Sequence, residues 1–145
     1  MGILIALAVV LAAEVCPDPA APCPGFKPHD LSFARPTDGL AKAEERSRPF
    51  FAVIVASAGA CAIPETERLR IQAVFAQRKV FSSRFECDGD VENNVRYTNV
   101  RENAAFVAIH AGSTREEAAK VLAEAKSKGF PGANIREMQV VLVHP

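Results

Sequence analysis

The side chains able to do chemistry are few and scattered in this chain of 145 residues. His29, His110 and His144 and the cysteines Cys16, Cys23, Cys61 and Cys87 are the candidates for nucleophilic or metal chemistry. A thiolate beside an imidazole is an attacking nucleophile, and His110 is the imidazole such a pair would use. Oxidised cysteines do not attack, however, and one histidine in an apolar strand reads as a packed or edge residue. No CxxC occurs and the histidines are not at paired ligand spacing, so no metal site is expected. Asp88-Gly89-Asp90-Val91-Glu92 follows the opening of a calcium loop, but Asn93 stands where that loop needs Gly and Asn99 where it needs Glu. It reads as a solvated turn. Gly112-Ser113-Thr114 at a helix start has backbone donors for an anion, yet without a glycine-rich loop it reads as an ordinary cap. Glu116-Glu117 are first-turn residues on a solvated face, not a glycosidase pair. No catalytic residue, cofactor or metal is expected, and the chain reads as non-enzymatic.

The elements that position these residues begin after an unusual first third. Residues 1–13 (MGILIALAVVLAA) carry no charge, although the chain holds 17 basic and 17 acidic residues. Thirteen apolar residues are too short for a bilayer span, which needs ~20, and they fit the core of a signal peptide cleaved after Ala12 or Ala13. Glu14-Val15 before Cys16 is a poor match to a lipidation site. The expectation is export to the periplasm or cell envelope, or secretion, with nothing spanning the membrane once the signal is removed. The zero net charge argues against nucleic acid as a partner. Seven of the ten prolines lie from Pro17 to Pro49; each fixes φ and removes a donor, so residues 14–48 read as an extended linker with a short helix at 40–46. The folding unit is residues 49–145.

Within that unit the strongest signals lie late. AFVAIHA at 105–111 is a short apolar strand. Ser113-Thr114-Arg115-Glu116-Glu117, a hydroxyl cap with a Glu three residues later, starts a helix, and Ala118, Val121, Leu122 and Ala125 form its apolar stripe. Gly129 is its C′ residue, and residues 133–143 form a final strand. The first half repeats the pattern: a strand at 50–57 (FFAVIVAS), a helix from Pro64 to about Arg78, and a strand at 80–87. In that helix Leu69, Ala73 and Ala76 share a face, while Ile71 and Phe75 lie around from it. Residues 88–100 are an insertion with a further strand at 95–100. The expected fold is α+β: a ferredoxin-like split βαβ, an antiparallel sheet with two helices on one face, plus the inserted hairpin or strand.

An even number of cysteines in an exported chain implies disulfides. The topology brings Cys61, above the first strand, beside Cys87 at the end of the second, leaving Cys16 to pair with Cys23. Strand alternation sends Val53, Val55, Val107, Ile109 and Ala111 toward the helices. Ala52, Ile54, Phe106, Ala108 and His110 then face the other way. That face is a binding surface, or is covered by the 88–100 insertion or by another copy.

Phe106 to Gly112, the following Ser113-Thr114-Arg115-Glu116-Glu117-Ala118, then Gly129-Phe130-Pro131-Gly132-Ala133 and Ile135-Arg136 resemble the second half of a SPOR domain. The likeness spans about residues 50–143. SPOR domains are exported ferredoxin-like modules that bind peptidoglycan glycan strands. The resemblance implies a glycan site on the open sheet face, with His110, Arg96 and Tyr97 orienting sugars on a floor of Ile54 and Phe106. Several features depart from the family: Ile54 stands where it often has Gln, Ala108 and His110 stand where outward polar residues are common and only His110 is polar, and the Cys61/Cys87 pair and the long 88–100 insertion are not its hallmarks. The alternative is an extracytoplasmic domain that binds another envelope protein or itself, with no glycan ligand.

Overall fold

The computed structural model describes residues 13–35, 43–87 and 94–144. The expected signal segment and the Asp88-Gly89-Asp90 turn lie outside the described residues, apart from Ala13. The fold is mixed α+β with two helices and antiparallel sheets. In chain order the elements are β1 (Glu44–Arg46), β2 (Phe50–Gly59), α1 (Glu65–Val74), β3 (Val80–Ser82), β4 (Val95–Tyr97), β5 (Ala104–His110), α2 (Arg115–Ser127), β6 (Asn134–Met138) and β7 (Val140–Val143). A four-stranded sheet runs β3-β5-β2-β6 and a three-stranded sheet runs β1-β7-β4, with every ladder antiparallel.

Local chemistry explains α2 completely. Thr114 Oγ1 accepts from the Glu117 N–H at 3.2 Å, and the Glu117 carboxylate accepts from the Thr114 and Ser113 N–H groups at 2.9 Å each, a reciprocal capping box. Gly112 is required beside it: its φ is +97°, and a Cβ there would lie 2.5 Å from the Glu117 carboxylate oxygen. At the other end the Phe130 N–H donates to Ala125 O and the Gly129 N–H to Lys126 O. That is a Schellman closure around Gly129 at φ +97°.

Helix α1 stops at Val74 instead of continuing to Arg78. Gln72 is the reason. Its amide nitrogen donates to Phe75 O and Arg78 O at 3.0 and 2.7 Å, and its oxygen accepts from the Val80 N–H at 2.9 Å, so the chain turns into β3. Ile71 and Phe75 are the buried pair on this segment, while Leu69 is 52% exposed. β3 ends at Ser82 rather than 87, because the Ser83 hydroxyl takes over the ladder by accepting from the Phe106 N–H at 3.0 Å.

Both helices pack on one face of the four-stranded sheet, where Ile71, Phe75, Ala118 and Val121 meet Val53, Val107 and Ile109. The opposite face is covered. Ala52, Ile54, Phe106 and Ala108 are buried against Leu31, Phe33, Val95, Tyr97, Val140 and Leu142. This corrects the open sheet face in favour of the covered alternative: β4 of the 88–100 insertion supplies Val95 and Tyr97, and two further segments complete the cover. The final strand is broken at Gln139: β6 pairs with β2, then the chain swings across and β7 pairs with β1 and β4 in the second layer. The stretch 14–48 supplies the rest of the cover. Leu31 and Phe33 are 0% and 1% exposed, and residues 44–46 form β1 rather than a helical turn. Cys16 N–H donates to Ser32 O at 2.8 Å and Ala34 N–H to Glu14 O at 3.0 Å, so two proline-poor stretches make a short ribbon on either side of a proline-rich turn. Proline stops ladders from propagating; it does not keep the apolar residues between prolines out of a core.

Both disulfides form as the topology requires, with Cα–Cα distances of 5.9 Å for Cys16–Cys23 and 5.5 Å for Cys61–Cys87. Among the described residues no helix is long and apolar enough to cross a membrane.

Phe33→Ala is expected to lower unfolding stability by about 3–5 kcal/mol, as truncation of a buried Phe does; urea denaturation measures it, and an unchanged midpoint would return residue 33 to a linker. Replacing Cys61 and Cys87 together by Ala is expected to cost about 2–4 kcal/mol by releasing the unfolded chain, read from the same titration with reduced and oxidised wild type alongside.

Candidate functional site

β2 is ten residues long, whereas β1, β4 and β7 are three or four. The second layer therefore ends before β2 and β5 do. At that step a cavity of about 680 Å³ opens, floored by Ile54 and Phe106 and walled by Ser57, Val100, Arg101 and Arg136. Its size is that of a small-molecule site.

A β-bulge aims Ser57 into this cavity. The β2–β5 register runs Ile54↔Ala108, then Ala56↔Val107 and Ser57↔Phe106, so Val55 is the extra residue. Simple alternation would put Ala56 on the Ile54 face. The bulge instead leaves Val55 and Ala56 both packed on the helix side, and Ser57 shares the cavity face with Phe106. The wall carrying Val100 and Arg101 is held by backbone-level bonds. Thr98 N–H donates to Gln139 O at 3.1 Å, Gln139 N–H donates to Thr98 Oγ1 at 2.8 Å, and Asn99 Nδ2 donates to Glu137 O at 3.0 Å. Asn99 has φ +57°, a left-handed conformation that its short polar side chain tolerates. The loop between β4 and β5 is thus pinned to the corner where β6 becomes β7.

A second cavity of about 510 Å³ lies on the other side of that loop and shares Val100, Arg101, Ala104 and Phe106 with the first. The Cys61–Cys87 disulfide, Arg96, Glu86 and Glu102 contribute to its lining. The larger cavity has, among the described residues, no Asp, Glu, His or Cys in its lining. Among the described residues no group of three or more His, Cys, Asp or Glu side chains is placed to hold a metal ion.

The five expected binding residues do not form one surface. Ile54 and Phe106 meet in the floor of the larger cavity, although only 7% and 2% of each is exposed. Arg96 lines the second cavity and pairs with Glu44, while its Nε is buried with no partner among the described residues. Tyr97 is a buried pin: its OH accepts from the Leu31 N–H at 3.0 Å, and its ring packs on Phe81 and Phe106 at 5.0 and 5.4 Å. Burial pushes its phenol well above the ordinary value, so it stays neutral. His110 lies four residues along β5 from Phe106, about 13 Å at the usual strand rise. It sits instead against Phe50, its ring 5.6 Å away, beside a shallow depression lined by Asp18 and Lys79. Burial lowers its pKa to about 4, and its Nε2 has no partner among the described residues.

Sequence reading missed Ser57, Arg101 and Arg136. The bulge has no signal in FFAVIVAS, and an arginine in a loop looks like any solvated charge. A second omission is the polar cluster that docks residues 27–31 on the edge strand β3. Ser82 N–H donates to His29 O at 2.9 Å, and Lys79 Nζ donates to Pro28 O at 2.5 Å. The Asp30 carboxylate accepts from the Lys27 N–H at 2.9 Å and lies 3.4 Å from His29 Nε2. Arg68 lies buried beneath, donating to Val80 O at 3.2 Å and paired with Glu65. Burial raises Asp30 to about 6, against the attraction of Lys79 and Lys27. It also lowers His29.

Compared with known proteins, the chain matches no family model, no curated protein and no solved structure.

Asp30 and His110 have opposite linkage signs. A carboxyl raised from 3.8 to about 6 favours the fold at low pH, and that contribution is lost as pH rises through 6. An imidazole lowered from 6.5 to about 4 favours the fold at high pH, and that contribution is lost as pH falls through 4. Each is worth about 3 kcal/mol across the window. Asp30→Asn is therefore expected to make stability climb from pH 4.5 to 6.5, with His29 adding to the slope, and His110→Phe to give a clearly lower slope, Asp30 pulling stability down with pH against His29. Urea midpoints at four pH values measure both slopes; equal slopes in the two variants would contradict the assignment.

Proposed function

We propose that this protein is an extracytoplasmic, non-enzymatic binding module related in fold to SPOR domains, whose ligand sits in the cavity beyond the second layer rather than on the sheet face. The order β2-α1-β3-β5-α2-β6, with sheet order β3-β5-β2-β6 and both helices on one face, supports the ferredoxin-like reading. Two disulfides support an oxidising, extracytoplasmic setting. The ligand class is glycan of the cell wall, which the SPOR-like residues Phe106 to Ala118 and Gly129 to Arg136 favour.

One observation carries the choice of site. The face that would hold glycan in such a module is filled by Leu31, Phe33, Val140 and Leu142 of the same chain, while the cavity at its end keeps an apolar floor with polar walls. A floor of Ile54 and Phe106 suits the apolar face of a sugar, and Ser57 and Asn99 supply hydrogen-bonding groups at its edge. The same filling removes the apolar surface through which a second copy or an envelope protein would have docked, so a ligand of small cross-section is preferred over a partner chain.

The test is co-sedimentation with purified, peptide-stripped peptidoglycan. The wild type is expected to pellet with it. Ser57→Trp, which fills the cavity from an exposed position, is expected to lower retention several-fold while keeping the wild-type unfolding midpoint. Failure of the wild type to pellet rejects the glycan reading; equal retention of both proteins moves the site out of the cavity.

A further inference from the structure

The arginines of this chain are mostly spoken for. Arg35, Arg46, Arg68, Arg70, Arg78 and Arg96 each hold a carboxylate. Arg101 and Arg136 do not. Both are exposed, and neither forms an ion pair among the described residues; the one side-chain hydrogen bond of Arg136 goes to Asn134 Oδ1 at 3.3 Å. These two residues, one from the β4–β5 loop and one from the edge strand β6, both line the larger cavity, and Arg101 also borders the second. Among the described residues the larger cavity has no acidic side chain in its lining, whereas the chain as a whole balances 17 acidic against 17 basic residues.

We infer that the larger cavity recognises a carboxylate carried on a small apolar or sugar frame, the carboxylate pairing with Arg101 and Arg136 and the frame lying on Ile54, Val100 and Phe106. The guanidinium is a planar fork of donors that matches a carboxylate with two parallel hydrogen bonds. The arrangement is prepared in advance: Thr98 and Asn99 bond the loop to Gln139 and Glu137, which fixes the chain on either side of the cavity mouth. Hydrogen-bonding capacity in the walls comes from Ser57 and Asn99, so the carboxylate supplies the main polar interaction and the frame supplies burial. The inference uses the site proposed above but does not require the ligand to be glycan.

The experiment is an amide-resonance NMR titration of the full, disulfide-bonded protein with three probes: N-acetylmuramic acid, N-acetylglucosamine (the same sugar without the lactyl carboxylate) and 3-phenylpropionate. The expected result is that both carboxylates shift Ala58, Val100 and Ala105, that N-acetylglucosamine does not, and that added sodium chloride weakens the effect. Arg101→Gln with Arg136→Gln is expected to abolish the shifts and leave the unfolding midpoint in place, since both side chains are exposed. Equal shifts from the two sugars, no shifts from any probe, or undiminished shifts in the double variant would each overturn the carboxylate inference. Shifts from 3-phenylpropionate but not from N-acetylmuramic acid would uphold it and remove the glycan reading. Retention of the double variant on peptidoglycan at wild-type level would do the reverse.

Discussion

β2 and β5 are apolar on both faces, and that constraint organises the molecule. Val53, Val107 and Ile109 point to one side, Ala52, Ile54, Phe106 and Ala108 to the other, and every one of them is buried. At about 1.5–3 kcal/mol for each large side chain removed from water, leaving either face open would forfeit much of the driving force for folding. Two helices cover one side. The other is covered by the chain's own beginning and end, residues 13–35 with β1 from the N-terminal side, β7 from the C-terminal side, and β4 between them in sequence.

The geometry of that second cover creates the site. Its strands are short because each is bounded by a special feature: the Ser47 bonds to Val140 at the β1 and β7 junction, and the left-handed Asn99 after β4. The longer pair β2–β5 continues past them, and the bulge at Val55 turns Ser57 toward the space left over. A small mismatch in strand length therefore becomes a cavity with an apolar floor. Arg101 and Arg136 stand at its mouth from two separate elements. The polar cluster of Asp30, Lys79 and Arg68 serves a different end, holding the N-terminal cover against β3 with groups whose burial is offset by backbone bonds and ion pairs.

Legibility in the sequence followed the range of the interactions. α2 is readable to within a residue because Thr114, Glu117 and Gly129 act within a single turn of chain. The face assignment of β5, and of β2 as far as the bulge at Val55, is readable because alternation is a property of the strand itself. The end of α1 was not readable, since Gln72 acts through its side chain on three backbone groups beyond the helix. Proline density misled over residues 14–48, where Leu31 and Phe33 between the prolines reach the core. The single strand expected over residues 133–143 concealed the break at Gln139, because Ile135, Met138 and the apolar run 140–143 all suit a buried strand and none marks where the chain changes sheet. Ile54 and Phe106 were correctly placed on one face, but their neighbours Arg101 and Arg136 come from distant segments with no pattern of their own.

By itself the sequence determined α2 with its caps, the order of the two strand–helix–strand units, the inward sides of β5 and of β2 as far as Val55, and the pairing of Cys61 with Cys87. Those depend on hydrogen-bond geometry and side-chain period over a few residues, and on a topology with few alternatives. The tertiary structure decided what covers the second face, where that cover stops, and hence which side chains surround the remaining cavity. Burial is non-directional and is shared among segments far apart in the chain, so no local pattern states which of them will meet.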